Sequence, residues 1–314
     1  MSAPDNIAAE EISTMTQGAN RPSQTQRFRS GLGRFRTWAA NEKPAAAAIG
    51  FLVLLSAAAV MAPIVAPYDP LQQDLGSILN GPSFSHPFGT DELGRDMLSR
   101  VIFGGRISLA TAAIAVAIAG SVGGLAGLTA GYIERAFGAF IMRFMDFLLA
   151  VPGILLAITI AAVLGNGFWP ATIAVTVISI PAFARLARAS VLSTKQEEFV
   201  QSTKSAGAGH SYLMFRTIFP NALSPLIVQA SVAAATAILL EAALSFLGLG
   251  TQPPSPSWGT AMALGKSYLK QSIWYALMPG LVLTATVLSI DTIGRAMQRT
   301  WGGNALNSAA GRGG

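Results

Sequence analysis

The sequence predicts an all-α, polytopic membrane protein with six transmembrane helices. Three observations predict this fold class: 52% of the 314 residues are hydrophobic, only 11% are charged, and the mean hydropathy is +0.50. Soluble domains carry about 25% charged residues. The charges are also clustered, so that they leave apolar runs long enough to cross about 30 Å of hydrocarbon as helices.

Five charge-free runs locate the transmembrane helices. They cover residues 44–68, 107–133, 147–184, 217–240 and 271–290. One crossing needs about 20 residues, so the third run is long enough for two helices. The segment Gly165-Asn166-Gly167 predicts a turn between those two. We therefore expect six helices.

The lysine and arginine residues predict the orientation, because cationic loops stay on the cytoplasmic side during insertion. Six helices leave both termini on the same side. With the termini inside, the outer segments keep only five of the 21 cations, namely Arg95, Arg100, Arg106, Lys266 and Lys270. We therefore expect both termini in the cytoplasm.

Several classes of function are disfavoured. The chain has no cysteine, so it forms no disulfide or thiolate metal site. The two histidines, His86 and His210, lie on opposite sides of the predicted membrane and share no metal site or catalytic triad. The basic pI of about 10.0 reflects cations that flank the spans, so we expect no nucleic-acid partner. We expect no catalytic residue and no metal.

A phosphate-binding loop is also absent from the sequence. Residues 259–267 resemble one, but five residues separate Gly259 from Gly265 where the motif needs four. Any ATP that drives this protein is therefore hydrolysed by another polypeptide.

Residues 1–43 form a predicted cytoplasmic tail, and residues 300–314 form a second one. Within the first tail, Phe28, Leu32 and Phe35 recur at helical spacing among arginines. This pattern is typical of a helix on the anionic inner leaflet. A solvated basic tail is the alternative.

The predicted outer loop after the first span contains Asp91, Arg95 and Asp96. Pairs at three- and four-residue spacing, Glu92 with Arg95 and Asp96 with Arg100, predict an interfacial helix. This helix either stabilises the fold or forms a gate or a contact with an extracytoplasmic protein.

Five glycines in the second span predict a closely packed partner helix. They are Gly120, Gly123, Gly124, Gly127 and Gly131. The partner helix belongs either to this subunit or to a neighbouring one.

Three acids lie within or at the ends of the apolar runs: Asp146, Glu241 and Asp291. A charge in lipid costs a few kcal/mol, so each acid needs a partner, a cavity or water. Glu241 is a candidate for the path or the outer gate, or alternatively a hydrogen-bonding anchor. Asp291 is a second path candidate, and Asp146 is expected at the membrane interface.

The predicted cytoplasmic loop, about residues 193–225, contains two short helices. Thr194-Lys-Gln-Glu197 has the spacing of a capping box, which predicts a helix start. That helix is expected to end near Gly207, and a second segment from Ser211 is expected to stop at Pro220. Helices this short need a partner or the rest of the subunit to pack on.

Three separated motifs carry a family resemblance that covers roughly residues 44–299. They are His86-Pro-Phe-Gly-Thr-Asp91-Glu-Leu-Gly-Arg95-Asp96, Gly207 with Ile218-Phe219-Pro220-Asn221-Ala222, and Leu244-Ser-Phe-Leu-Gly-Leu-Gly250 with Pro253-Pro-Ser-Pro-Ser-Trp258-Gly259. The second motif resembles the ATPase-docking loop of binding-protein-dependent ABC importer permeases. The other two are similar to the second permease of dipeptide, oligopeptide and nickel importers.

The resemblance implies the type I ABC importer permease fold and a transport subunit in the cytoplasmic (inner) membrane, which is not itself an enzyme. Its implied partners are a homologous permease, two ABC ATPase subunits that use ATP and Mg²⁺, an extracytoplasmic substrate-binding protein and membrane lipid. The most favoured substrates are dipeptides or oligopeptides. The implied ATPase-coupling residues are Glu198, Gln201, Ser202, Thr203, Gly207, Ile218 and Pro220.

The chain departs from the family pattern at one coupling position. The family usually has Glu-Ala-Ala before the loop glycine, whereas this chain has Gln201-Ser202-Thr203. Glu198 lies one helical turn earlier on nearly the same face, and we hypothesise that it replaces the missing acid.

Two alternatives stay open at this point. An ion-coupled secondary transporter could use Asp146, Glu241 and Asp291 as a relay. Alternatively, a member of the same family could carry nickel, glutathione or an opine.

Overall fold

The computed structural model describes residues 42–133 and 136–310, with side chains as far as residue 299. The chain divides into two units, residues 1–46 and 47–314. The first unit contributes only the beginning of one helix to the described residues. The helix expected from Phe28 and its neighbours lies outside them.

Helices account for the regular structure of the described residues, apart from one isolated β-bridge between Thr90 and Asp96. In chain order they are α1 (Lys43–Val60), α2 (Ala62–Val65), α3 (Met97–Tyr132), α4 (Ala136–Ala150), α5 (Gly153–Leu164), α6 (Phe168–Thr194), α7 (Glu198–Ser205), α8 (His210–Tyr212), a π-helical turn (Leu213–Ile218), α9 (Phe219–Phe246), α10 (Trp258–Ser267) and α11 (Trp274–Ala310). We call residues 66–96 the α2–α3 loop and residues 195–218 the α6–α9 loop.

Among the described residues, five helical segments are long and apolar enough to span a membrane: α1, α3, α6, the run His210–Phe246 and α11. The pair α4 and α5 is a sixth candidate, although it bends by 89°. The bend falls at Pro152, which is the N-cap of α5 and lacks a backbone N–H. Counting the bent pair once gives the six predicted spans, and the turn at residues 165–167 is confirmed.

The second span begins ten residues earlier than predicted. Asp96 adopts an extended conformation and accepts a hydrogen bond from the N–H of Ser99 at 2.7 Å, so that α3 begins at Met97. The predicted interfacial helix is therefore wrong, because residues 91–95 are not helical.

α3 packs most extensively on α6, and α9 packs against both. A Cβ added to Gly123 or Gly127 would lie within 3.0 Å of a carbonyl oxygen of α6. A Cβ on Gly131 would lie equally close to the side chain of Val191. The close packing expected from these glycines is thus found within the subunit.

α10 was not predicted, because it has only ten residues and follows a proline-rich segment. Its first residue, Trp258, is fully buried and donates a hydrogen bond to the carbonyl of Val101 at 2.8 Å. Residues 259–267, which resemble a phosphate-binding loop, lie in this helix.

α11 continues to Ala310, into the predicted C-terminal tail, and no proline follows Pro279 to end it.

Candidate functional site

The α6–α9 loop contains the glycine turn expected from its sequence. α7 ends at Ser205, and Gly207 follows with a φ of +83°. Only glycine adopts this conformation without strain. No atom lies within 4 Å of a Cβ built on Gly207, so the requirement is conformational rather than steric.

The predicted capping box is wrong. Thr194 is the last residue of α6, and the backbone of Lys195 remains helical. Because the chain turns out of α6 only after Lys195, Thr194 does not reach the start of the next helix. Glu197 occupies the N-cap position of α7 and makes no side-chain capping bond.

Pro220 does not end the second helical segment. It lies in the first turn of α9, where the missing N–H of proline is tolerated. The preceding residues form a π-helical turn, and the N–H of Phe219 donates to the carbonyl of Met214 five residues earlier. This wider turn lets the chain pass from α8 into α9 despite the proline.

The α6–α9 loop packs on the ends of three long helices. Val200, Leu213 and Ile218 are buried against Leu128 of α3, Val191 of α6 and Ala222 of α9. Ile218, which the resemblance assigns to coupling, therefore faces the interior of this subunit. Pro220 is exposed.

The opposite face of α7 is exposed. Glu198, Gln201, Ser202 and Gly207 are exposed and Thr203 is half-buried, so most of the predicted coupling residues are accessible at the surface of this subunit. A groove of about 980 Å³ lies beside them, lined by Ser193, Gln196, Glu197, Glu198, Phe199 and Ser202. Its two carboxylates and one aromatic ring suit a basic and apolar protein surface.

The C-terminal end of α3 is tethered to this loop. The hydroxyl of Tyr132 lies 2.7 Å from Nδ1 of His210. The Lys195 ammonium donates to the carbonyls of Tyr132 and Gly131 at 3.4 and 3.5 Å and lies 5.6 Å from the Tyr132 ring centroid. These contacts were not predicted, because residues far apart in sequence make them.

A buried ion cluster occupies the end of the α2–α3 loop. Nε of Arg95 lies 2.6 Å from Oδ2 of Asp91, and Nε of Arg100 lies 3.3 Å from the same oxygen. Glu92 pairs with Arg95 at 3.0 Å, as predicted, and accepts a hydrogen bond from the Tyr275 hydroxyl of α11. The predicted pair of Asp96 with Arg100 is not formed, because Arg100 turns toward Asp91.

Asp96 instead joins α3 to His86. Its Oδ2 accepts hydrogen bonds from the N–H and hydroxyl of Ser99, each at 2.7 Å, and its Oδ1 lies 3.0 Å from Nδ1 of His86. Nearby, the Ser77 hydroxyl and the Gly76 N–H donate to Asp74 and lower the pKa of that carboxyl below its ordinary value. His86 therefore has two carboxylates in its surroundings, those of Asp96 and Asp74.

Glu241 lies fully buried among three serines. Its carboxylate accepts hydrogen bonds from Ser108 of α3 at 2.7 Å, from Ser245 of α9 at 2.9 Å, and from Ser257 before α10 at 3.4 Å. The geometry is that of an anchor between three elements, which was one of the two predicted roles.

The other two acids have separate partners. Asp146 pairs with Arg185 at 2.6 Å, and Asp291 pairs with Arg295 one turn further along α11. No hydrogen bond or ion pair joins either to Glu241 in the part of the chain that the structure describes. Across that same part, no three histidine, aspartate or glutamate side chains are grouped so that they could hold a metal ion.

Comparison with known proteins identifies the family to which this architecture belongs. Residues 123–302 match the family model described as a binding-protein-dependent transport system inner membrane component. A di/tripeptide transport system permease protein DppC from Pseudomonas aeruginosa is 42% identical over 86% of this chain and 91% of its own. The glutathione transport system permease protein GsiD of Escherichia coli is 43% identical, over 79% and 82%.

Two further similarities agree. A dipeptide transport system permease protein DppC from Haemophilus influenzae is 37% identical over 79% of this chain and 86% of its own. Among solved structures, a chain of the MetNI methionine ABC transporter in an inward-facing conformation covers 65% of this chain and 97% of its own. Its TM-score is 0.54 at 17% identity, which establishes a shared fold.

Proposed function

The chain belongs to the family of binding-protein-dependent transport system inner membrane components, and we propose that it is a permease subunit of an ATP-driven importer of dipeptides or oligopeptides. Relatives named as di/tripeptide, dipeptide and glutathione permeases support this substrate class, because all of these cargoes contain peptide bonds. Glutathione is the alternative that this set of relatives favours. Nickel and opines have no comparable support.

The α6–α9 loop is the observation that carries this proposal. It is anchored on three long helices through its apolar face and exposes an acidic and aromatic groove on the other. A loop built in this way suits docking by a separate protein. The proposed docking partners are two ABC ATPase subunits, which bind and hydrolyse ATP with Mg²⁺.

The remaining partners follow from the proposed architecture. A homologous permease completes the translocation path, and an extracytoplasmic binding protein delivers the peptide. The cation distribution supports an orientation with both termini and the α6–α9 loop in the cytoplasm and the α2–α3 loop outside. The surrounding apolar surface contacts membrane lipid.

The mechanism is mechanical. When the ATPases close on ATP, they move the α6–α9 loop as a unit, because its buried side chains are packed on α3, α6 and α9. The movement changes how this subunit packs against its homologous partner, so the path opens to one side and then to the other. The permease supplies no covalent chemistry.

An ion-coupled secondary transporter is less well supported. A relay needs ionisable groups that exchange protons or ions with each other. Asp146 and Asp291 each pair with an arginine, and Glu241 is enclosed by three serines. This arrangement favours three independent structural roles.

Reconstituted transport tests the function. The chain is co-expressed with its partner permease and ATPases, and the ATPase rate is measured with the binding protein, with and without a dipeptide. We expect peptide-loaded binding protein to stimulate hydrolysis and to drive uptake into ATP-loaded vesicles. Uptake that persists without ATP under an ion gradient would instead support a secondary transporter.

The orientation has its own test. The chain has no cysteine, so single substitutions Ser205→Cys and Phe84→Cys provide unique labelling sites at exposed positions. In intact cells, a membrane-impermeant maleimide should label residue 84 but not residue 205. The reverse pattern would overturn the proposed coupling role of the α6–α9 loop.

A further inference from the structure

We infer that α3 is a second transmission element, which carries movement of the α6–α9 loop across the membrane to the α2–α3 loop, with Tyr132 as its positioning residue. The inference rests on the proposed function, in which ATPase subunits move the α6–α9 loop. Movement would then be transmitted by two routes: directly along the chain from the α6–α9 loop into α9, and additionally through α3.

The inner end of α3 is fixed to the loop at several points. The Tyr132 hydroxyl meets His210 at 2.7 Å, on the short helix α8. Lys195 donates to the last carbonyls of α3, which have no partner within the helix. Leu128, one turn earlier, packs in the same apolar cluster as Val200 and Leu213 of the loop. Displacement of the loop therefore displaces α3.

The direct route into α9 is comparatively deformable. It begins with a π-helical turn, and Pro220 and Pro225 both lie in the first two turns of α9. Pro225, inside the helix, removes a backbone hydrogen bond, and prolines and π-helical turns are the places where helices kink. A force on the loop therefore bends the start of α9 before it reaches the far end.

α3 is stiffer over its full length. Its 36 residues contain no proline, and at a rise of 1.5 Å per residue it is about 54 Å long. Three of its seven glycines, Gly123, Gly127 and Gly131, are held against α6 at distances that leave no space for a Cβ. The two helices support each other as one body.

The far end of α3 is tied to the exposed tip of the α2–α3 loop. Asp96 caps the helix and contacts His86 at 3.0 Å. His86 closes a tight turn with Ser83: the Ser83 N–H donates to the His86 carbonyl at 2.9 Å, and the His86 N–H donates to the Ser83 hydroxyl at 3.1 Å. Phe84 lies fully exposed within this turn. Movement of α3 thus reaches a surface on which a binding protein would dock.

Two fluorescent reporters test the inference in the assembled transporter with cysteine-free partner subunits. One label is attached at Phe84→Cys, on the tip of the α2–α3 loop. The other is attached at Ser224→Cys, on the exposed start of α9. The signal change on adding Mg²⁺ and a non-hydrolysable ATP analogue is recorded for each label. This signal change is compared between the protein with native Tyr132 and His210 and the variants Tyr132→Phe and His210→Ala. Each variant removes the same hydrogen bond.

We expect either variant to lower the equilibrium constant for the nucleotide-driven change at residue 84 by up to about fivefold, the factor that corresponds to one hydrogen bond, and so to weaken the response of this label. The response at residue 224 should persist, because α9 is driven directly. The double variant should behave like either single variant, since both act through one contact. His210→Asn, which keeps a hydrogen-bonding atom near the position of Nδ1, should restore most of the response.

An undiminished response at residue 84 in both variants would overturn the inference. Equal losses at residues 84 and 224 would also overturn it, because they would indicate general disruption of the loop. A native complex in which neither label responds to nucleotide would contradict the proposed function itself. Assembly of each variant with its partners is checked first by gel filtration, and His210→Ala serves alone if Tyr132→Phe does not assemble.

Discussion

The indole nitrogen of Trp258 lies 2.8 Å from the carbonyl oxygen of Val101, and this hydrogen bond joins α10 to the first turns of α3. Both residues are buried. The same region contains the Glu241 carboxylate, which binds Ser108 of α3 and Ser257 beside α10. Two independent polar contacts therefore hold α10 on the α3–α9 pair.

Trp258→Phe should destabilise the subunit by about 2–4 kcal/mol, because it removes the donor to a buried carbonyl and leaves a cavity where the larger indole ring was packed. A thermal melt in detergent measures the loss. Trp274→Phe is the matched control, since Trp274 is exposed on α11. Equal melting temperatures for the two variants would contradict the structural role of the bond.

Glu241→Ala should cost about 1–3 kcal/mol, because it leaves buried serine hydroxyls without their acceptor. Glu241→Gln keeps one acceptor oxygen and should melt closer to the native protein. Transport by the Gln variant distinguishes the two predicted roles of this residue. A purely structural anchor leaves uptake near the native rate, whereas loss of uptake in a stable protein would favour a role in the path or the gate.

Gly127→Ala should destabilise the α3–α6 pair by about 1–3 kcal/mol, because the added Cβ would overlap the carbonyl of Ala184 and force the helices apart. Gly124→Ala is the matched control on the same helix, since its Cβ would meet only Leu226 at 3.9 Å. The melting temperatures of the two variants, measured under the same conditions, test whether α3 and α6 are closely packed at Gly127. Similar losses in both variants would argue against close packing at Gly127.

Gly207→Ala should impair coupling, because an alanine at a φ of +83° costs about 1–2 kcal/mol and reorients the exit from α7. The measurement is the stimulation of ATPase activity by peptide-loaded binding protein. Gly209→Ala is the control, since Gly209 has a φ of −68° and equally open surroundings. The control should retain stimulation, and identical behaviour of the two variants would contradict the conformational explanation.

Glu198→Ala tests whether this residue replaces the acid that the family usually carries nearer the loop glycine. We expect stimulation by the binding protein to fall severalfold, because the exposed carboxylate would lose its cationic partner on the ATPase. Glu197→Ala is the comparison, because it removes the other carboxylate of the same groove: a smaller loss there would show that Glu198 has the specific role. If Glu198→Ala transports normally while Gly207 variants fail, the replacement hypothesis is wrong.

The sequence predicted the membrane helices well, because lipid requires long uncharged runs whatever the tertiary structure. It misplaced the start of α3, since Asp91, Arg95 and Arg100 neutralise each other at a buried site that local spacing does not reveal. The glycine turn at residue 207 could be predicted from the sequence, because it depends only on local backbone geometry. The capping box failed because α6 extends through the residues assigned to it.

The contacts that organise the candidate site were harder to predict. Tyr132 meets His210, and Tyr275 meets Glu92, across large separations in sequence. No periodicity or short motif encodes such pairs, because they depend on how the helices pack. The bend at Pro152 was also missed, since the apolar composition continues unchanged through it.

The length of α3 has a pharmacological consequence. A helix of about 54 Å exceeds about 30 Å of hydrocarbon by several turns, so its two ends, at Asp96 and Tyr132, are farther apart than the hydrocarbon is thick. A polar compound that binds between Asp96 and His86 would contact the start of α3 without first dissolving in lipid. In the proposed orientation, such a compound would act from outside the cell and would not need to cross the bilayer.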